Sequence, residues 1–165
     1  MTGEEKSEDL RKFCITLYGA YAVSIVLGFF EDTLVLSLFL MIVAWILGGF
    51  KKKKAVGTPY ASHLLWMNRS LWIGSGVYAP IALVVSGFLI STFTDSAPIL
   101  QAMDSGDPDV VMASLQGYLT QNTTKMLLLT LVTTLPVGLW WLRRCWLGYK
   151  LVKEDKPVEN VKSWL

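Results

Sequence analysis

The sequence predicts an all-α integral membrane protein with four transmembrane helices, and three observations support this. Of the 165 residues, 53% are apolar and only 17% charged, where a soluble domain carries about 25% charged residues. Four stretches, residues 13–30, 33–50, 71–93 and 126–142, contain no charged side chain at all. At about 1.5 Å per residue, each covers most of a hydrocarbon core about 30 Å thick. None shows the polar face that a helix of a soluble bundle would carry. Finally, the basic residues fall on one side. With both termini cytoplasmic, every Lys and Arg except Lys125 lies inside, while Glu31, Asp32, Asp95, Asp104, Asp107 and Asp109 lie outside. That is the asymmetry of the positive-inside rule. The net charge of +2 is too small to argue for a nucleic-acid partner.

The first twelve residues are polar and rich in acid, and no small-x-small site follows span 1. This segment reads as a retained anchor and not as a cleaved signal. Cys14 and Cys145 both fall near the reducing face, so no structural disulfide is expected. Spans 1 and 2 are joined by little more than Glu31 and Asp32, which demands a tight antiparallel hairpin. On span 1, Ala20, Ser24 and Gly28 form a small-residue stripe that admits close approach by another helix of the same chain or of a second copy.

Span 2 ends at Lys51, Lys52, Lys53 and Lys54. Beyond them Gly57, Thr58 and Pro59 read as a turn, with Thr58 as N-cap and Pro59 in the first helical position. A short amphipathic interfacial helix follows, before the chain turns into span 3. His63, the single histidine, has no nearby Cys or carboxylate to make it a metal site or general base, and an interfacial hydrogen bond is its expected role. Pro80 in span 3 and Pro136 in span 4 predict bends, and Thr130, Thr133 and Thr134 stand ready to bond neighbouring carbonyls.

One pattern occurs twice. Leu65-Trp66-x-x-Arg69-x-x-Trp72-x-Gly74 is matched by Leu139-Trp140-x-x-Arg143-x-x-Trp146-x-Gly148. Trp66, Arg69, Trp72, Trp140, Arg143 and Trp146 read as interfacial anchors, at a spacing that suits cation–π stacking. The outer segment, residues 94–124, predicts a short helix over 97–103 capped by Ser96. A second helix opens at Asp107 as N-cap, with Pro108 next and Asp109 near the positive end of the dipole. Val111, Leu115, Tyr118 and Leu119 line one face of it, suited to resting on the membrane or to docking a partner. Asn122-Thr123-Thr124 matches a glycosylation sequon. The tail, 143–165, has mixed charges and ends on Trp164 and Leu165.

Gly57-Thr58, Ser62-His63, Trp66, Arg69 and Trp72, with Trp141, Arg143, Gly148-Tyr149 and Leu151 in the last span, resemble a family of small bacterial four-span membrane proteins. The pattern of that family reads GTW…SHFRWQIRTFW and later W…YRVVRGW; here Met67-Asn68 replaces the usual Gln-Ile. The family is distantly grouped with the import-channel subunit of the chloroplast inner envelope. The resemblance implies a bacterial inner-membrane location and, by analogy of fold alone, protein translocation.

No phosphate-binding loop, nucleophile elbow, zinc motif or intramembrane carboxylate pair occurs in the sequence. The expected function is therefore a non-catalytic accessory or interaction subunit of an inner-membrane assembly. The partners would be membrane lipid and either a second membrane protein or another copy, with no cofactor and no metal. A homo-oligomeric pore or translocation-type channel is the alternative.

Overall fold

The computed structural model describes residues 3–162, apart from the side chains at positions 3, 4 and 31. Trp164 and Leu165 lie outside the described residues. Every element is helical: α1 (Gly3–Leu27), α2 (Leu34–Lys52), α3 (Tyr60–Ile73), α4 (Ala79–Phe93), α5 (Ala97–Asp104) and α6 (Pro108–Lys153). Four helical segments are long and apolar enough to cross a membrane, namely Glu5–Leu27, Leu34–Lys52, Tyr60–Phe93 and Pro108–Lys153.

Leu34–Lys52 closely matches the expected span 33–50, whereas Glu5–Leu27 begins eight residues before the expected 13–30 and ends three residues short of it, and the other two run well past theirs. No break in helical bonding separates the expected interfacial helix from span 3. The chain stays helical from α3 to α4 through a π-turn at Gly74–Tyr78. The physical reason lies in Pro80, whose missing N–H and ring leave the Gly76 carbonyl without its partner one turn earlier. A local widening of the helix accommodates that loss. Likewise the outer helix and span 4 are one helix, α6, of 46 residues with Pro136 inside it. Neither Gly nor Pro stands between Tyr118 and Pro136 to end it.

The chain divides into two compact units, Met1–Val77 with Val137–Leu165, and Tyr78–Pro136. In the first, α1 and α2 form the expected hairpin around a short 3-10 turn, Glu31–Thr33, where the Thr33 hydroxyl donates to the Leu27 carbonyl at 2.7 Å. The small-residue stripe meets α2 of the same chain. The Ser37 hydroxyl donates to the Ser24 carbonyl at 2.7 Å, and a Cβ on Gly28 would lie 3.2 Å from Ser37 Oγ. Ser24 in turn donates to the carbonyl of half-buried Ala20 at 2.8 Å. At the basic end Lys51 pairs with Asp9 at 2.7 Å and lies over the Phe13 ring.

The core runs along α1 through Leu10, Cys14, Leu17, Tyr18, Tyr21 and Ile25, at the three- and four-residue spacing of one helix face. Both cysteines are free and buried. Thr58 does not cap α3: its hydroxyl donates back to the Ala55 carbonyl at 2.7 Å, and Pro59 takes the N-cap place.

In the second unit two of the three threonines bond back as their spacing predicts, while the Thr130 hydroxyl lies 3.4 Å from that of Ser86. Thr133 donates to the Thr130 carbonyl at 2.8 Å, and Thr134 to the same carbonyl at 2.8 Å. Asp107 caps α6, its carboxylate accepting from the Asp109 N–H at 2.9 Å. Ser96 makes no side-chain cap to α5; Asp95 accepts from the Ala97 N–H instead, at 3.0 Å.

Candidate functional site: a buried polar seam at the basic end

Two arginines stand side by side near the end of α6, and the fold separates them. Arg143 is exposed, whereas Arg144 is 0% exposed. The Arg144 guanidinium carbon lies 3.4 Å from the centre of the Trp66 ring and 5.1 Å from that of Trp140. Its Nε donates to Ser70 Oγ at 2.8 Å, and the Ser70 hydroxyl donates on to the Trp66 carbonyl at 2.7 Å. Stacking on an aromatic face stabilises a cation most where water is excluded. A planar guanidinium can lie flat on a ring while donating at its edge, which an ammonium cannot.

The residues expected as headgroup anchors therefore part company. Trp66 is only 5% exposed and belongs to the interior, its indole N–H directed at the Arg144 carbonyl at 3.4 Å. Trp140 and Arg69 are half-buried. Trp72 and Trp146, at 58% and 62% exposure, remain on the surface, and Arg143 is exposed too. The cation–π pair joins the two copies of the repeated pattern through Arg144, a residue outside the pattern itself. Each pattern's closing glycine also has a use. A Cβ at Gly74 would fall 2.9 Å from the Trp141 ring, and one at Gly148 would collide with the Tyr18 phenol.

That phenol leads to His63, which is buried. His63 Nε2 lies 2.8 Å from the Lys156 carbonyl, and Nδ1 lies 3.0 Å from the Tyr18 hydroxyl. A carbonyl only accepts, so Nε2 carries the proton and Nδ1 accepts from Tyr18. The histidine thus bridges α1, α3 and the tail. No group of three or more His, Cys, Asp or Glu that could hold a metal ion occurs among the described residues.

The tail is docked by several further bonds. Asp155 adopts a left-handed conformation, φ 53°, and the Lys156 N–H returns to the Leu151 carbonyl at 2.9 Å, ending α6. The Tyr60 hydroxyl donates to Asp155 at 2.7 Å, Arg11 to the Lys153 carbonyl at 2.9 Å, and the Val158 N–H to Ser62 Oγ at 2.9 Å. Lys156 donates to Glu154 at 2.8 Å, which holds that carboxyl below its ordinary range and raises the lysine. A surface pair of this kind adds little to stability, because solvent screens it. The buried neutral bonds and Val158, 7% exposed, hold the tail more firmly.

Replacing Ser62 with alanine removes the acceptor of the Val158 N–H. Exchange of that amide in deuterated buffer is expected to accelerate about five- to tenfold, the equivalent of one net hydrogen bond. An unchanged rate would mean that the tail is held without it.

In the second unit, Tyr118 turns inward, its hydroxyl 2.6 Å from Thr94 Oγ1. Val111 is half-buried, and Leu115 and Leu119 are exposed beside them. Asn122 of the sequon is buried, and its amide donates to the Tyr118 carbonyl at 3.0 Å, so the atom a glycan would need is already engaged.

Sequence reasoning missed Arg144, Ser70 and Tyr18. The available signal was helical phase: Tyr18 continues the buried face of α1, and Arg144 sits one residue before buried Cys145. No protein-family model matches the chain, and neither does any curated protein or any solved structure.

Proposed function

We propose that this chain is a non-catalytic interaction subunit of a bacterial inner-membrane assembly, with both termini cytoplasmic. The observation that carries this reading is the hairpin of α5 and the first turns of α6. Gly106, at φ +69°, closes its turn, and the Thr94–Tyr118 hydroxyl pair latches its base. Leu115 and Leu119 face outward from this latched frame, and Asp104, Asp107 and Asp109 cluster at the turn. An ordered apolar stripe with an acidic tip suits a partner's apolar, basic-rimmed surface, because little conformational freedom is lost on docking.

The buried polar groups of the first unit support the same reading from another side. Tyr18, His63 and Ser70 are engaged in joining helices and tail, which is a structural task. Thr133 and Thr134, which a pore reading would turn to a lumen, bond their own helix.

The test is purification from the native membrane in mild detergent, followed by native mass spectrometry. A stoichiometric foreign protein is expected, and its binding should weaken at least tenfold on replacing Leu115 and Leu119 with serine. A clean multiple of 18.4 kDa with no foreign chain would overturn the reading in favour of a homo-oligomeric pore or translocation-type channel.

A further inference from the structure

A groove of about 360 Å³ opens between α1, α2 and α3, at the end of the hairpin that carries the lysine run. This is within the range of about 300–1000 Å³ found for ligand sites. It exists because α2 presents Gly48 and Gly49 where side chains would fill it. A Cβ at Gly48 would lie 3.3 Å from Leu17, and one at Gly49 would meet nothing within 4 Å. Leu17 and Met67 form part of an apolar floor.

The rim is polar and ordered. Trp45 donates its indole N–H to Asn68 Oδ1 at 2.9 Å and packs edge-on against Trp72 at 6.3 Å. With its oxygen so engaged, the Asn68 amide still brings two N–H donors to the groove that it lines. Lys52 lines the same groove and is exposed. Its neighbour Lys51 is paired with Asp9, while Lys53 and Lys54 extend the positive charge beyond the mouth.

We propose that this groove is a binding site for one anionic phospholipid of the adjoining leaflet, with an acyl chain along the Gly48–Gly49 floor and the headgroup phosphate on Lys52 and Asn68. Charge complementarity and place argue for that occupant. The groove lies at the basic end of an apolar span, where aromatic rings and lysines meet lipid headgroups. A cluster of lysines just beyond a span attracts anionic lipid over zwitterionic lipid. An apolar floor in the same groove as an ammonium and an amide matches a lipid, since a free anion would leave that floor empty.

The test titrates the full chain in mild detergent with phosphatidylglycerol or phosphatidylcholine of identical acyl chains, with bound lipid counted by native mass spectrometry. One phosphatidylglycerol is expected to saturate, with about fivefold preference over phosphatidylcholine, the selectivity of about one lysine near a lipid surface. K52Q should abolish the preference while retaining the chain-dependent binding. G49L should fill the groove and lose both lipids; because its Cβ meets nothing, its melting temperature should match wild type. Millimolar inorganic phosphate should leave the lipid bound. The proposal falls if wild type shows no preference, or if lipids add without saturating at one. It falls equally if phosphate displaces the lipid, or if a folded G49L still binds it. Should G49L melt early, K52Q decides alone, since its side chain is exposed, and an undiminished preference in K52Q overturns the proposal.

Discussion

Arg144→Lys should destabilise the protein by about 2–4 kcal/mol, whereas Arg143→Lys, one residue earlier, should change stability by less than about 0.5 kcal/mol. The contrast follows from burial and geometry. Arg144 lies 3.4 Å over Trp66 while its Nε donates to Ser70. Lysine keeps the charge but cannot stack flat and donate at the edge together, so a buried ammonium would lose part of its solvation. Arg143 is exposed, and its charge is served by solvent or headgroups in either form. Thermal unfolding in a fixed detergent, followed by Trp fluorescence, measures both variants. Equal melting temperatures would show that the stack contributes nothing beyond the charge.

Gly148→Ala should be nearly as severe, about 2–4 kcal/mol, although alanine is the better helix former. Its Cβ would occupy the place of the Tyr18 phenol, and moving that ring breaks the hydrogen bond to His63. Overpacking costs about 1–3 kcal/mol and a buried bond left unmade about 1–3 more, so the sum outweighs the gain in helix propensity. Tail docking should loosen with it, because His63 also donates to the Lys156 carbonyl. A double-mutant cycle with Tyr18→Leu separates the two costs. Much of the Gly148→Ala penalty should vanish when the ring is gone, giving a coupling energy of about 1–2 kcal/mol. Strict additivity would place the clash elsewhere.

These two residues mark where sequence reading stops. The spans were legible because lipid imposes one demand on every position: a spanning segment must be apolar and free of charge over its whole length. The cap at Asp107 and the back-bonds of Thr133 and Thr134 were legible because they involve residues within one turn of each other, although the equally local caps expected at Thr58 and Ser96 did not form. The hairpin was legible from the brevity of its connection. Helix ends inside apolar sequence were not. Between residues 60 and 93, and again between 108 and 153, the expected breaks were absorbed by continued helical bonding and a π-turn.

Within the candidate site, the repeated Trp–Arg–Trp–Gly pattern was visible, but its reading as two headgroup belts held no information about partners across helices. Trp66 and Trp72 differ by less than two turns of one helix, yet one is interior and the other exposed. Only the rotation of α3 against α1 and α6 distinguishes them. The same rotation selects Arg144 over Arg143.

What the sequence alone determined is the solvent: an apolar, helical chain with four segments long and apolar enough to cross a membrane, because hydropathy acts residue by residue. Which arginine is enclosed, which glycines receive a ring, and where the tail attaches were decided only by tertiary structure. Those outcomes depend on helical phase between segments distant in sequence, such as Tyr18 with His63 and His63 with Lys156. A single chain read along its length carries no measure of that phase, since in lipid every face of an apolar helix looks alike until another helix is set against it.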